Sequence, residues 1–175
     1  KDYTQIITTT HSTHLAEVSE VKNINILKSI GSNSISMQPS HGLDEFGKKN
    51  LQLKNLKLSD CIERYLDSKR SVLLFSKGVV LVEGDGEEIL IPNLIKNALG
   101  VSLDEMGIGL VNVGSVSFEY IASLFSEERI KRTCAIVTDE DIQIVETDSK
   151  LYKAEAEKRG KSRKKKLADL YGTNP

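Results

Sequence analysis

The chain has 175 residues, of which 39% are hydrophobic and 28% are charged, as is ordinary for a soluble globular protein. Its formal net charge of −1 gives no overall attraction for a polyanion, so any nucleic-acid binding must come from local patches. We expect neither a membrane segment nor a signal peptide, because no apolar run is long enough. The two cysteines, Cys61 and Cys134, stand in unrelated contexts, which favours a reducing, cytoplasmic compartment.

The first part of the chain predicts a strand, a hairpin and a helical segment. Residues 3–9 are rich in Ile and Thr and predict a short strand, and residues 24–27 and 34–37 predict a hairpin. Residues 43–70 are helical in pattern. Within them, residues 42–49 fit the spacing G-x-x-x-x-G-K of a phosphate-binding loop, but Lys49 stands where that motif has Ser or Thr. We therefore interpret this stretch as an ordinary loop.

Three short apolar runs follow, at residues 79–82, 108–113 and 134–137. They do not alternate with polar residues, so they predict strands that are buried on both faces of a parallel sheet. A helix is expected between the first two strands, with Asp85 and Glu88 as a candidate capping box. Because Pro92 lacks an amide donor, the helix is expected either to bend there or to begin its regular part there. The next helix places Phe118, Ile121, Ala122 and Phe125 on one face. This β-α-β-α-β order predicts an α/β domain with a mainly parallel sheet.

Carboxylates follow two of these strands. Glu83 comes directly after the first, and Asp139 and Asp141 come after the third. Sites in open parallel sheets form beyond the carboxyl ends of the strands, so these acids are expected to converge. Three unpaired anions repel one another, and a hard divalent cation, Mg²⁺ or Mn²⁺, would relieve that repulsion. Glu87 lies one helical turn beyond Glu83 and is a candidate fourth ligand; the alternative is a solvated acidic turn.

These motifs resemble a known family. LVEGDGEE (81–88), NVGS (112–115) and IVTDED (136–141) are similar to the motifs of Toprim domains, a Rossmannoid α/β fold, and most similar to those of the OLD (overcoming lysogenization defect) nucleases. The resemblance implies a DNA endonuclease that hydrolyses phosphodiesters with two metal ions and is associated with phage defence. In that scheme Asp139, Asp141 and Glu83 bind one ion, Glu83 is also a candidate base, and Glu87 helps to bind the second.

The beginning of the chain resembles a different part of the same architecture. OLD nucleases carry an ABC-type ATPase before the Toprim domain, and residues 5–18, QIITTTHSTHLAEV, are similar to its last conserved strand and switch loop. The resemblance gives His11 the role of sensing the γ-phosphate of ATP. It also implies DNA as substrate, a homo-oligomer formed through the ATPase part, and a helicase-like partner protein.

The resemblance divides the chain into three parts: a remnant of the ATPase domain (1–42), a helical linker (43–75) and a Toprim domain (76–175). The final strand, Glu motif and catalytic Lys expected downstream are not visible in the sequence, and neither are the phosphate-binding loop and signature motif expected upstream. We therefore expect the isolated chain to be a poor nuclease and to bind no ATP.

The strongest charge cluster in the sequence is KRGKSRKKK (158–166). Such runs are usually solvated helices or tails, but beside a nuclease site they are equally candidates for sequence-independent contacts with DNA phosphates. The candidate DNA-binding residues are Lys158, Arg159, Lys161, Arg163, Lys164, Lys165 and Lys166.

Two other functions fit parts of the sequence. A strand that ends in D-x-D also occurs in the haloacid-dehalogenase phosphatases, in which the first Asp is the nucleophile. In this chain that residue would be Asp139. That motif normally follows the first strand of its domain, whereas here at least two candidate strands precede it. The other alternative is a non-catalytic DNA-binding or oligomerisation module whose carboxylates are structural.

Overall fold

The computed structural model describes residues 4–66, 70–114, 118–139 and 150–171, with the side chains of all but 150–157. Two short strands form a hairpin, three strands form a parallel sheet, and seven α-helices surround them in the described part of the chain. In order, these elements are α1 (Thr13–Glu17), β1 (Ile26–Ile30), β2 (Asn33–Met37), α2 (Leu43–Asn50), α3 (Leu58–Tyr65), β3 (Gly78–Val82), α4 (Asp85–Leu99), α5 (Leu103–Met106), β4 (Ile108–Asn112), α6 (Phe118–Ala122), β5 (Thr133–Ile136) and α7 (Lys150–Tyr171). Short 3-10 helices cover Val21–Asn23, Arg70–Leu74 and Ser123–Phe125.

The parallel sheet has the order β4-β3-β5, so β3 is its central strand. Gly78 at the start of β3 pairs with Ile108 on one side and with Thr133 on the other. All three strands therefore end at the same edge. The structure confirms the predicted β-α-β-α-β order and the α/β class.

The core lies against this sheet and includes side chains from before it. All four apolar residues predicted for α6 and its 3-10 extension are buried, at 6% exposure or less. Leu58 and Ile62 of α3 are fully buried in the same hydrophobic cluster. Between residues 43 and 75 the described helices are α2, α3 and the 3-10 helix Arg70–Leu74, and their buried side chains belong to the same core as the sheet.

The hairpin of β1 and β2 is confirmed, but the strand predicted for residues 3–9 is not observed in its described part. Residues 4–10 form neither helix nor strand, and Ile6 and Ile7 are 82% and 83% exposed. A strand is stable only when its backbone groups pair with a neighbour. No described strand lies beside this segment, so its β propensity is not realised.

The loop predicted at residues 42–49 is wrong, because α2 occupies it. Gly42 precedes the helix in the left-handed region (φ 58°), and Gly47 is buried within it. A Cβ on Gly47 would lie 2.9 Å from the Cβ of Leu58, so the glycine permits α3 to pack closely. Asp44 accepts a 2.9 Å hydrogen bond from the Ser59 amide. These contacts between α2 and α3 outweigh the low helix propensity of glycine.

Helix α4 also differs from the prediction. It begins at Asp85 after Gly84, which makes no side-chain cap, so Asp85 and Glu88 form no capping box. Pro92 lies inside the helix, and none of the helix residues is buried. A capping box is present instead at α5, between Ser102 and Glu105. Among the described helices, none combines the length and apolar character needed to cross a membrane.

Candidate metal site at the edge of the parallel sheet

Glu83 and Asp139 follow neighbouring strands of the sheet. Glu83 comes directly after β3, and the chain after β5 stays paired with β3 because the Val137 amide donates to the Leu81 carbonyl at 2.9 Å. This pairing brings Thr138 beside Glu83, and the exposed Asp139 is the next residue. Asp141 lies outside the described residues. The predicted placement at one sheet edge is therefore observed for Glu83 and Asp139.

The Glu83 carboxylate has two partners that the sequence interpretation missed. Thr138 donates its hydroxyl to Glu83 Oε2 at 2.9 Å, and the Arg163 guanidinium forms an ion pair with the same oxygen. Arg163 also donates to Thr138 Oγ1 at 2.8 Å. The expectation that Glu83 is an unpaired anion is therefore wrong. A basic side chain from 80 residues farther along the chain reaches the edge of the sheet.

Glu87 lies near the backbone that leaves β3. A Cβ on Gly84 would be 3.0 Å from Glu87 Oε2, so the glycine leaves room for this carboxylate. Gly84 is in an extended conformation (φ −140°), and its benefit here is space. The first turn of α4 thus places Glu87 close to the residue that follows Glu83.

On the β4 side of the central strand, Asn112 organises the chain. Its Nδ2 donates to Asp85 Oδ1 at 2.7 Å, and its Oδ1 accepts from the Gly114 amide at 2.8 Å. Tyr65 donates its hydroxyl to the Asn112 carbonyl at 3.2 Å. Asn112 therefore fixes the turn after β4 to the start of α4. The only sequence signal for this role was the position of Asn112 at the end of an apolar run.

A pocket of about 300 Å³ opens beside this turn. Its polar lining comes from Arg70, Asp85, Glu88 and Asn112. The Arg70 guanidinium also lies over the Tyr65 ring, 4.7 Å from its centroid. The pocket is on the β4 side of β3, whereas the Glu83 carboxylate contacts the β5 side.

The basic run lies on α7, and its residues do not share one environment. Lys166 forms a 2.6 Å ion pair with Glu119, whose side chain is only 9% exposed, and Arg163 contacts Glu83. The other five candidate DNA contacts are exposed: Lys158, Arg159, Lys161, Lys164 and Lys165.

His11 is exposed and lies in the segment before α1. Ser12 caps that helix by accepting from the Leu15 amide at 3.4 Å. The Ser71 hydroxyl donates to the Thr13 carbonyl at 3.1 Å and ties the start of α1 to the rest of the fold. The residues around His11 neither support nor oppose its predicted role.

The donors at the sheet edge fit a hard divalent cation. Glu83, Thr138 and Asp139 offer only oxygen atoms, the ligands that Mg²⁺ and Mn²⁺ prefer. A guanidinium already binds Glu83 Oε2, so this position attracts positive charge. Among the described residues, no three His, Cys, Asp or Glu side chains lie close enough together to form a complete metal cage.

The parallel sheet, with acids after its central strand and after the strand beside it, has the architecture of a Toprim domain. Residues 74–141 match the family model for the TOPRIM domain of overcoming lysogenization defect (OLD) protein-like proteins. The chain therefore carries an OLD-like Toprim domain.

A solved structure, the C-terminal region of the OLD protein of Xanthomonas campestris pv. campestris, is 28% identical to this chain with a TM-score of 0.37. The match covers 53% of this chain and 50% of the solved chain, so this chain matches about half the length of that structure. A search of curated proteins found no match.

Proposed function

We propose that this domain hydrolyses phosphodiester bonds in DNA as a metal-dependent endonuclease of the OLD type. The observation that carries the proposal is the position of Glu83 and Asp139 after adjacent parallel strands of an OLD-like Toprim domain. Toprim domains in general bind divalent metals, and the exclusively oxygen donors here fit Mg²⁺ or Mn²⁺.

Each residue has a proposed role. Glu83, Asp139 and Asp141 hold one ion, Glu87 helps to hold a second, and Glu83 is the candidate base. Bound divalent ions would offset the negative charge of the scissile phosphate, make a bound water more acidic and stabilise the leaving oxygen. The Thr138 hydroxyl orients the Glu83 carboxylate through its 2.9 Å hydrogen bond. Gly86, where a Cβ would meet nothing within 4 Å, leaves open space for a substrate backbone.

The exposed basic residues of α7 are proposed to contact DNA phosphates. Such contacts carry no sequence information, and their strength falls steeply with salt. The proposed phosphate contacts are the exposed basic residues of this run, Lys158, Arg159, Lys161, Lys164, Lys165 and Lys166. Arg163 is half-buried beside Glu83.

The roles of the rest of the protein remain proposals that rest on the family resemblance. Residues 1–42 would belong to an ABC-type ATPase in which His11 senses the γ-phosphate of ATP. That ATPase would form the homo-oligomer, a helicase-like protein would be a partner, and phage defence would be the biological role.

The two alternative functions make different predictions. A phosphatase of the haloacid-dehalogenase type would form an aspartyl-phosphate on Asp139. The match of residues 74–141 to an OLD-like Toprim model favours the nuclease over this phosphatase. A non-catalytic module would bind DNA or a second copy without any change on adding Mn²⁺.

Cleavage of supercoiled plasmid by the full-length protein with Mn²⁺ tests the proposal. Asp139→Asn and Glu83→Gln should each abolish cleavage, because either change removes a charge that holds the metal. Glu45→Gln, which changes an exposed acid on α2, is the matched control and should cleave like the native protein. Normal cleavage by Asp139→Asn would refute the assignment.

A further inference from the structure

Arg163, Glu83 and Thr138 form a closed polar cluster at the point where the candidate site would bind a cation. Glu83 Oε2 accepts from both Thr138 and Arg163, and Arg163 also donates to Thr138. The guanidinium thus lies against the two chain segments that leave β3 and β5. The Glu83 side chain is 39% exposed and the Arg163 side chain 30%, so solvent and ions reach the pair.

Helix α7 is attached to the domain by contacts that do not involve this pair. Lys166 pairs with Glu119 at 2.6 Å, and the Tyr171 hydroxyl donates to the Glu119 carbonyl at 2.7 Å. Leu167 packs against the hydrophobic core. The spacing of Arg163, Leu167 and Tyr171 places them on one face of the helix. The helix can therefore stay docked when the Arg163 side chain leaves Glu83.

We propose that Arg163 is an internal competitor for the divalent cation. It neutralises Glu83 when no ion is bound, and an incoming ion must compete with it for the carboxylate. The inference rests on the proposed function, in which Glu83 is a metal ligand. The physical basis is that a guanidinium and a divalent ion held by the same carboxylate repel each other, so binding of the ion weakens the Arg163 contact.

Two consequences follow from this competition. The native protein binds metal more weakly than a protein without the guanidinium, because part of the binding free energy is spent on breaking the ion pair. The Arg163 guanidinium is also released when metal binds, beside the position where the DNA backbone is proposed to lie. Loading of metal would thereby make an additional phosphate-binding group available.

Calorimetric titration of the chain with Mn²⁺ tests the competition without depending on catalysis. Arg163→Gln should bind Mn²⁺ about three- to tenfold more tightly than the native chain, since a competing and repelling charge is gone. Lys165→Gln makes the same change in net charge at an exposed position of the same helix. It should alter the affinity by less than about twofold, because a solvent-exposed charge is strongly screened. Arg163→Lys keeps the charge and should stay close to the native affinity.

The outcomes separate this inference from the proposed function. If Glu83→Gln abolishes Mn²⁺ binding and Arg163→Gln leaves the affinity unchanged or weakens it, the competition is refuted while the metal site survives. If Glu83→Gln binds Mn²⁺ as the native chain does, Glu83 is not a ligand and both are refuted. Circular dichroism melting without metal verifies that each variant is folded at the temperature of the titration.

Discussion

The Thr138 hydroxyl donates a 2.9 Å hydrogen bond to the carboxylate of Glu83, from the segment after one strand to the residue after its parallel neighbour. This bond joins the two motifs that carry the candidate site, VEG and TDED. It also shows that polar side chains hold this edge of the sheet together.

Thr138→Val should destabilise the metal-free protein by about 1 kcal/mol, because Glu83 loses a hydrogen-bond donor and Arg163 loses an acceptor. The substitution keeps the shape and β-branching of the side chain. Thr133→Val, at the exposed start of β5, is the matched control and should change stability by less than half as much. Urea denaturation of the two variants measures the difference. Equal stability of both variants would mean that the Thr138 hydrogen bonds contribute nothing to the free energy of unfolding.

Lys166→Ala should destabilise the fold by about 1–3 kcal/mol, because the buried Glu119 carboxylate would lose its counter-ion. The comparison is Lys165→Ala, which removes the same charge from an exposed position and should cost less than about 0.5 kcal/mol. Urea denaturation of both variants provides the test. A Lys166→Ala protein as stable as Lys165→Ala would show that α7 is not held by this ion pair.

Two helical glycines should respond to alanine in opposite directions. Gly47→Ala would place its Cβ 2.9 Å from the Leu58 Cβ, so we expect a loss of about 1–3 kcal/mol from overpacking between α2 and α3. A Cβ on Gly86, in the first turn of α4, would meet nothing within 4 Å. Gly86→Ala should therefore stabilise the protein by up to about 1 kcal/mol through helix propensity. Thermal melting measures both variants, and a Gly47→Ala protein at least as stable as the native one would contradict the close packing of α2 on α3.

Stability should fall in alkaline solution through Cys134. Burial raises the pKa of its thiol from 9.0 to about 12, so the folded protein keeps a proton that the unfolded chain releases. The contribution is complete below about pH 9 and is lost as the pH rises towards 12. Burial, followed by the nearby Glu119 charge, also raises the pKa of Tyr171 and acts in the same direction.

Measurements of unfolding free energy between pH 9 and 10 isolate the thiol. The native chain should lose stability more steeply than Cys134→Ala, with a difference in slope that approaches about 1.4 kcal/mol per pH unit. Parallel curves would show that the thiol ionises equally in the folded and unfolded chains.

Sequence patterns predicted the elements whose structure depends on local spacing. The i, i+3, i+4, i+7 pattern of Phe118 to Phe125 gave the buried face of α6, and the unalternating apolar runs gave the parallel sheet. The carboxylates at strand ends followed from the same pattern. By contrast, residues 42–49 were interpreted as a loop because they resemble an imperfect phosphate-binding loop. The close contact of Gly47 with Leu58, which supports α2, depends on tertiary packing.

The partners of Glu83 could not be predicted for a related reason. Arg163 lies in a basic run, and nothing in its spacing separates the residue that faces the sheet from those that face solvent. The contact depends on how α7 docks, which Lys166, Leu167 and Tyr171 determine together.

Paramagnetic broadening by Mn²⁺ in an amide NMR spectrum tests the position of the metal most directly. The first amide signals to broaden should be those of Gly84 and Asp139, which follow Glu83 and Thr138 at the edge of the sheet. Signals from the β1-β2 hairpin should stay sharp at the same Mn²⁺ concentration, and Glu83→Gln should restore the broadened signals. Broadening centred elsewhere, or broadening that survives in Glu83→Gln, would contradict the assignment of this sheet edge as the metal site.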